Sequence, residues 1–310
     1  MIRVAITIGD PNGVGPEITR LALQSIGVRE DVVYFLFSHP ALRELLEGVD
    51  RRSDVEWVSV CETLDFVPQP GESSLLGGRV AYESLVKAVE YICQGKIDVL
   101  VTAPLAKYTV HQWNNRFYDH TTFLGEMFAV SDYRMAFWGE HFGVVLDTIH
   151  VPLRVVPSLL SASHLETTLR LAYDFLRRVY GGGVLALCGL NPHAGEGGLL
   201  GDEEETIMKP LVQRLVGEGL PIEGPLPADT VFYKAQQGVY KMVVALYHDQ
   251  GLAPFKMLHF DEGVNVTLGL PFVRTSPDHG TAFSLAGKGL ASSKSMEMAL
   301  RLALRLVLLS

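Results

Sequence analysis

The chain has 310 residues, 48% of them hydrophobic and 20% charged, and carries a formal net charge of −9 at pH 7. That make-up suits a globular protein with room for two sizeable cores. It argues against a broad nucleic-acid surface, which would need a basic stripe, but leaves room for a small anionic ligand held by two or three local cations. The three cysteines, Cys61, Cys93 and Cys188, are widely spaced and form no CxxC pair, which argues against disulfides and cysteine-bound zinc and fits a reducing cytosol. The opening "MIRVAITIGD" reads directly as a strand without an apolar signal region, so the expected location is the cytoplasm. No apolar run reaches membrane-spanning length without charge, so no membrane partner is expected.

In chain order the apolar patterning predicts a strand at 3–8, a helix at 16–26, a strand at 32–38, a helix at 40–48, a strand at 55–60 and a helix at 77–95. A strand at 98–103, a helix at 121–129, and strands at 134–138 and 143–149 follow. Helices at 153–160 and 164–180, a strand at 183–189, a helix at 202–217, strands at 241–247 and 264–269 and a closing helix at 294–308 complete the reading. Runs such as "VLVTAP", "VLALCGL" and "MVVALY" lack period-2 alternation, as strands do when both faces of a mostly parallel sheet are covered. The class is α/β. No repeat, low-complexity tract or Pro/Gly/Ser-rich linker marks a domain boundary.

The first strand runs into "GDPNGVGPE", a glycine-rich turn before a helix, where α/β proteins commonly hold phosphates. No Lys-Ser/Thr follows Gly15, so it is not a P-loop, and Ile18 stands where a dinucleotide fingerprint has its third glycine. The classical phosphate-loop readings therefore fail.

Ligands of open α/β sheets bind beyond the carboxyl ends of the strands. Three apolar strands are followed there by histidine: "VVLDTIH" at His150, "LALCGLNPH" at His193 and "VVALYHDQG" at His248. Each alone reads as a hydrogen-bonded loop residue; together they are candidates for an open three-imidazole metal site. Lys256, Asn265 and Arg274 recur at intervals of nine, expected on a loop, at a strand start and just after its end. The two cations suit phosphate or carboxylate, or are solvated surface charges. In "YDHTTFLGEMF" Thr121 can cap a helix and His120 can face a ligand. Asp229 in "PADTVF" is an N-cap by default and a candidate carboxylate behind a metal-bound histidine.

"GDPNGVGPE" and "DHGTAFSLAGKGLA" resemble the opening loop and the adenosine-binding loop of the isocitrate and isopropylmalate dehydrogenases. With "VTAPLAK", "DHTTFLGE", "LNPHAGEGG", "YHDQGLAPFK" and "GVNVTLGLPFVRTSPDHGTA", spread from about residue 6 to 290, the chain resembles the 4-hydroxythreonine-4-phosphate dehydrogenase family. The resemblance implies two interwoven α/β/α domains with non-Rossmann NAD binding in the cleft between them. One would be a cofactor-side domain of residues 1–125 plus 256–310, the other a metal, substrate and dimerisation domain of residues 126–255. It further implies a homodimer with its active site at the subunit interface. Carried over by position, His150, His193 and His248 would be metal ligands; His120, Thr121, Lys256, Asn265 and Arg274 substrate contacts; and His279, Gly280 and Thr281 cofactor contacts. Ser292 stands where the superfamily has an adenine-contacting Asn, and the chain is compact near its C-terminus.

The activity so implied is NAD-dependent oxidation of 4-phosphonooxy-L-threonine with decarboxylation to 3-amino-2-oxopropyl phosphate, in pyridoxal 5'-phosphate biosynthesis. A divalent ion, zinc with cobalt or magnesium as alternatives, would lower the pKa of the substrate hydroxyl and then polarise the new ketone. The general base is unassigned, with Asp229 and Asp249 as candidates beside a metal-bound water. Two alternatives stay open: a sister enzyme acting on D-threonate or D-erythronate 4-phosphate, and a non-catalytic metal- or anion-binding protein.

Overall fold

In a computed structural model, which describes residues 1–309, the chain divides into two compact units, Met1–Ser131 with Leu270–Ser310 and Asp132–Gly269.

The first unit starts with β1 (Ile2–Thr7), α1 (Gly15–Ile26), β2 (Val32–Ser38) and β3 (Val55–Ser59). It continues with α2 (Leu75–Cys93), β4 (Val99–Thr102), α3 (Lys107–Trp113) and α4 (His120–Met127). The chain returns to this unit as β11 (Val273–Pro277) and α10 (Lys294–Leu308). The strand order is β3-β2-β1-β4-β11, with every pair parallel. β1 is flanked by β2 and β4, so the chain reverses direction across the sheet there, and the loops at the carboxyl ends of β1 and β4 splay apart. Leu85, Ala88, Val89, Phe117 and Leu124 are buried with Leu100 of β4 in one cluster. Helix α10 buries Met296, Ala299, Leu300, Ala303 and Leu304, at the three- and four-residue spacing that places them on one face.

The second unit is built from β5 (Arg134–Trp138), β6 (Gly143–Leu146), α5 (Val156–Leu159), α6 (Ala162–Tyr180), β7 (Leu185–Cys188) and α7 (Lys209–Gly217). β8 (Ile222–Leu226), α8 (Ala228–Gln236), β9 (Met242–Ala245), α9 (His248–His259) and β10 (Val264–Leu268) complete it. Its order is β10-β5-β6-β9-β7-β8; β5 is antiparallel to both neighbours, and β6, β9, β7 and β8 are mutually parallel. The parallel set directs three consecutive carboxyl ends, of β6, β9 and β7, to the same edge. Helix α6 covers this sheet with Leu165, Leu169, Ala172, Phe175, Leu176 and Val179. Ser161 caps it by accepting from His164 N–H at 3.3 Å, and Gly181 closes it in the left-handed region.

Several boundaries differ from those expected. The helix at 40–48 is two 3-10 turns, Pro40–Leu42 and Glu44–Leu46. The helix at 202–217 starts as a π turn, Glu204–Met208. The boundary expected at 255/256 falls inside α9; α9 and β10 belong wholly to the second unit, because α9 packs on β6 and β9 and β10 pairs with β5.

Candidate active site

In the first unit the carboxyl end of β4 and the adjacent β11 build a buried, positively charged corner. Arg274 lies within β11, not beyond a strand end as expected, and pairs in register with Leu100. It is 4% exposed, and its Nη2 donates to Thr102 Oγ1 at 2.7 Å. Burial lowers the guanidinium to about 10, while Asp119 pulls it up, so the group stays cationic at neutral pH. His120 opens α4, and the cap is Asp119, which accepts from Thr122 N–H at 2.9 Å; Thr121, expected to cap, is instead a buried first-turn residue. Burial first, and the Arg274 charge second, hold the His120 imidazole well below its ordinary pKa, with Asp119 opposing. The corner thus offers a buried permanent cation beside a neutral imidazole, a pairing that neutralises an anion and hydrogen-bonds to it without a second titrating charge. Thr102 was not singled out from sequence; its signal is the polar end of the "VLVTAP" run.

The glycine-rich loop after β1 owes its composition to backbone contact. Val14 N–H donates to Thr281 O at 2.9 Å, and a Cβ on Gly13 would lie 2.9 Å from that same oxygen. Residues 279–281 are thereby laid along the 11–14 turn. His279 Nδ1 lies 3.0 Å from Gly280 O, while its buried Nε2 has no hydrogen-bond partner among the described residues. Such an unsatisfied ring nitrogen suits a polar group of a ligand. A cavity of about 190 Å³ opens beside the 11–14 turn, lined by Pro11, Gly13, Pro16, Glu17, Arg20 and Gly287 among others. Within the same loop Asp10 is fully buried, and burial raises its carboxyl to about 6 against backbone N–H groups of Asn12 and Ala106 that lower it.

The second unit carries the histidines. His150 follows β6, His193 follows β7, and His248 is the first residue of α9 after β9. The His150 and His248 rings lie 5.7 Å apart between centroids. His248 Nδ1 is 2.7 Å from Asp249 Oδ1, a carboxylate–imidazole pair of the kind that orients a ligating ring and directs its Nε2 outward. Asp249 is otherwise exposed. His193 stands outside this pair: among the described residues no group of three or more His, Cys, Asp and Glu is gathered closely enough to hold a metal. It sits on a left-handed turn in which His193, Ala194 and Glu196 all have positive φ. Gln250, which sequence reasoning passed over, ties the strand ends together. Its Oε1 accepts from Leu246 N–H at 2.7 Å and its Nε2 donates to Gly189 O at 2.8 Å, linking the His248 turn to the base of the His193 loop. Imidazole ligands in general suit zinc or cobalt better than magnesium.

The remaining candidates are placed differently from expectation. Lys256 is on helix α9, not on a loop, and is half-buried. Asn265 is the second residue of β10, opposite Phe137 of β5. Asp229 is not an N-cap: Pro227 holds that position, and Asp229 is an exposed residue of the first turn of α8.

The family described as pyridoxal phosphate biosynthetic protein PdxA matches residues 20–303. A 4-hydroxythreonine-4-phosphate dehydrogenase of Methylorubrum extorquens is 40% identical, covering 98% of this chain and 94% of the relative. A D-threonate 4-phosphate dehydrogenase of Salmonella typhimurium is 38% identical, covering 98% of both. The crystal structure of the 4-hydroxythreonine-4-phosphate dehydrogenase from Klebsiella pneumoniae superposes with a TM-score of 0.81 at 34% identity, covering 99% of this chain and 100% of that one. A β-decarboxylating dehydrogenase from Thermococcus kodakarensis, at 14% identity and a TM-score of 0.56 over 97% of this chain and 82% of that one, shares the fold. The chain is a dehydrogenase of the PdxA family, built on the isocitrate dehydrogenase-like α/β fold.

Proposed function

We propose that the protein oxidises 4-phosphonooxy-L-threonine with NAD and releases carbon dioxide, forming 3-amino-2-oxopropyl phosphate for pyridoxal 5'-phosphate synthesis. The observation that carries this reading is the 40% identity to a 4-hydroxythreonine-4-phosphate dehydrogenase along 98% of the chain. The site chemistry supports it. Arg274, with Lys256, supplies positive charge for the phosphate and carboxylate of a doubly anionic substrate. Neutral His120, with Thr121 and Asn265, supplies hydrogen bonds that orient it. His279, Gly280 and Thr281 line the loop that receives NAD, the hydride acceptor. His150, His193 and His248 would hold a divalent ion, which when bound acidifies the substrate hydroxyl and withdraws electrons during decarboxylation. Asp249 keeps the His248 ring in one orientation and Asp229 stands as the other carboxylate candidate for proton transfer. The protein acts in the cytoplasm as a homodimer whose site is completed at the subunit interface.

The Salmonella relative gives a second reading, oxidation of D-threonate 4-phosphate. The two substrates share a four-carbon chain, a secondary alcohol and a terminal phosphate, and differ in amino against hydroxyl at one carbon. A panel of 4-phosphonooxy-L-threonine, D-threonate 4-phosphate and D-erythronate 4-phosphate, followed by NADH absorbance, separates them. The highest kcat/KM is expected for the amino acid; a higher value for either sugar acid overturns the first reading. No NADH from any of the three would favour a non-catalytic anion-binding protein.

A further inference from the structure

The irregular segment between β3 and α2 ends in a strap that one buried side chain holds down. Phe66 is 6% exposed and packs with Val60 and Val80, and α2 starts after its cap Ser74. Between these two anchors Val67, Gln69, Pro70, Glu72 and Ser73 are exposed and Pro68 is half-buried, so the strap puts no side chain into a core. A segment with so little buried apolar surface opens readily unless something else holds it. Asn12, 1% exposed in the glycine-rich turn, does so. Its Oδ1 accepts from Gln69 N–H at 2.8 Å, and its Nδ2 donates to Glu72 O at 2.8 Å and to Ser74 Oγ at 3.1 Å. Its backbone oxygen accepts from Gly71 N–H at 2.8 Å, and its own N–H donates to Asp10 Oδ1 at 3.0 Å. The side-chain amide is fully committed, its oxygen to an N–H and its two hydrogens to oxygens.

The tip of the strap meets the 283–287 loop. A Cβ on Gly287 would stand 2.8 Å from Pro70 Cβ, and one on Gly71 would stand 3.3 Å from Phe283 O. Pro70 is also one wall of the cavity of about 190 Å³ beside the 11–14 turn. Pro11, Pro16 and Leu45 add apolar wall to it, and Gly13 and Gly287 add backbone without side chains. Proline and leucine faces with bare backbone between them suit a flat ring that needs close contact and few polar partners. We propose that residues 67–73 are a gate over this cavity, closed against the adenine end of the dinucleotide, and that Asn12 is the positioning residue that latches it. The inference rests on the NAD reading above.

The test is hydrogen exchange read by mass spectrometry over the strap and over the 279–290 loop, with NAD association and dissociation rates from stopped flow. Wild type and Asn12→Ala are each measured alone and with NAD, adenosine monophosphate or nicotinamide mononucleotide. In wild type, NAD and adenosine monophosphate should slow exchange in the strap, and nicotinamide mononucleotide should not. In Asn12→Ala without ligand, strap exchange should rise about 10-fold or more, the scale of losing the side-chain hydrogen bonds of a buried amide. Exchange in β1 and α10 should stay as in wild type. A gate opens for entry and exit alike, so both NAD rates should rise by a similar factor and leave the dissociation constant unchanged. A raised dissociation constant with unaltered strap exchange would overturn the inference, as would unaltered rates. NAD that binds wild type and protects only the 279–290 loop would overturn the inference alone, and so would strap protection by nicotinamide mononucleotide in place of adenosine monophosphate. No binding of NAD to wild type would overturn the NAD reading and the inference together. If Asn12→Ala does not fold, Asn12→Asp takes its place: it keeps the acceptor for Gln69 N–H and loses the donors to Glu72 O and Ser74 Oγ. Faster strap exchange and faster NAD rates in Asn12→Asp would support the inference, and unchanged values would overturn it.

Discussion

Arg274 illustrates how a single position can be set by its neighbours. At 4% exposure, with Thr102 fixing one arm, it has given up the rotamer freedom and hydration that a surface arginine would lose on binding an anion, so its charge is pre-organised. Arg274→Ala should raise KM for the phosphorylated substrate by roughly 30-fold or more, about 2 kcal/mol or above, while KM for NAD changes little. Steady-state kinetics with each substrate varied in turn checks it, and an unaltered KM for the phosphorylated substrate would remove Arg274 from the site. Asp10 gives a prediction of another kind. Its carboxyl is raised from 3.8 to about 6 by burial, so the fold disfavours the ionised form. The resulting cost is absent well below pH 4, grows as pH rises, and is complete above about pH 6, where it amounts to about 3 kcal/mol. Asp10→Asn should therefore stabilise the protein at pH 8 and lose about half of that gain by pH 5. Urea denaturation at the two values measures it; equal gains at both would mean that the carboxyl is not perturbed.

At the scale of elements, the readable ones were those whose apolar runs or amphipathic faces are uninterrupted. The strands later found as β1, β2, β4, β5, β7, β9 and β10, and the helices α6 and α10, follow directly from such patterns. The unexpected elements carry polar residues or breakers that local patterning reads as loop. β11 is "VRTSP", with Arg274, Thr275 and Ser276 buried, and its polar side chains find partners inside, Arg274 in Thr102 and Thr275 in Ala299 O. β8, "IEGPL", contains glycine and proline. α9 contains Gly251 and Pro254, and its packing overrides both signals. Gly251 is where that packing is closest: a Cβ there would lie 2.7 Å from Val144 Cγ1 and 2.8 Å from Leu146 Cδ2 of β6. Gly251→Ala should cost about 1–3 kcal/mol by overpacking. It should also push the first turn of α9, with His248, away from His150. A lowered unfolding midpoint together with weakened zinc binding is the expected result; unchanged zinc binding would mean that α9 does not set the position of His248. The left-handed turn at 193–197 is beyond sequence reasoning, because the buried Glu204 carboxylate that accepts from Asn191 N–H at its start lies thirteen residues further along the chain.

For the molecule as a whole, the candidate residues are divided between two units that are each folded around their own core. The first holds the buried cation, the neutral imidazole and the 279–281 loop; the second holds the three histidines, Lys256 and Asn265. Candidate residues could be named from sequence because the family motifs extend along the chain. What neighbours each of them was not, since hydrogen bonds such as Thr102 to Arg274 join residues 172 positions apart. Whether the protein is a metal-dependent NAD dehydrogenase acting on a four-carbon 4-phosphate is decided by one assay. Protein dialysed against chelator, with its metal content measured, is given 4-phosphonooxy-L-threonine and NAD, and NADH is followed before and after zinc or cobalt is added. The expected result is no NADH from the metal-free protein and turnover restored by either ion. Full turnover by a preparation shown to contain no metal would contradict metal dependence.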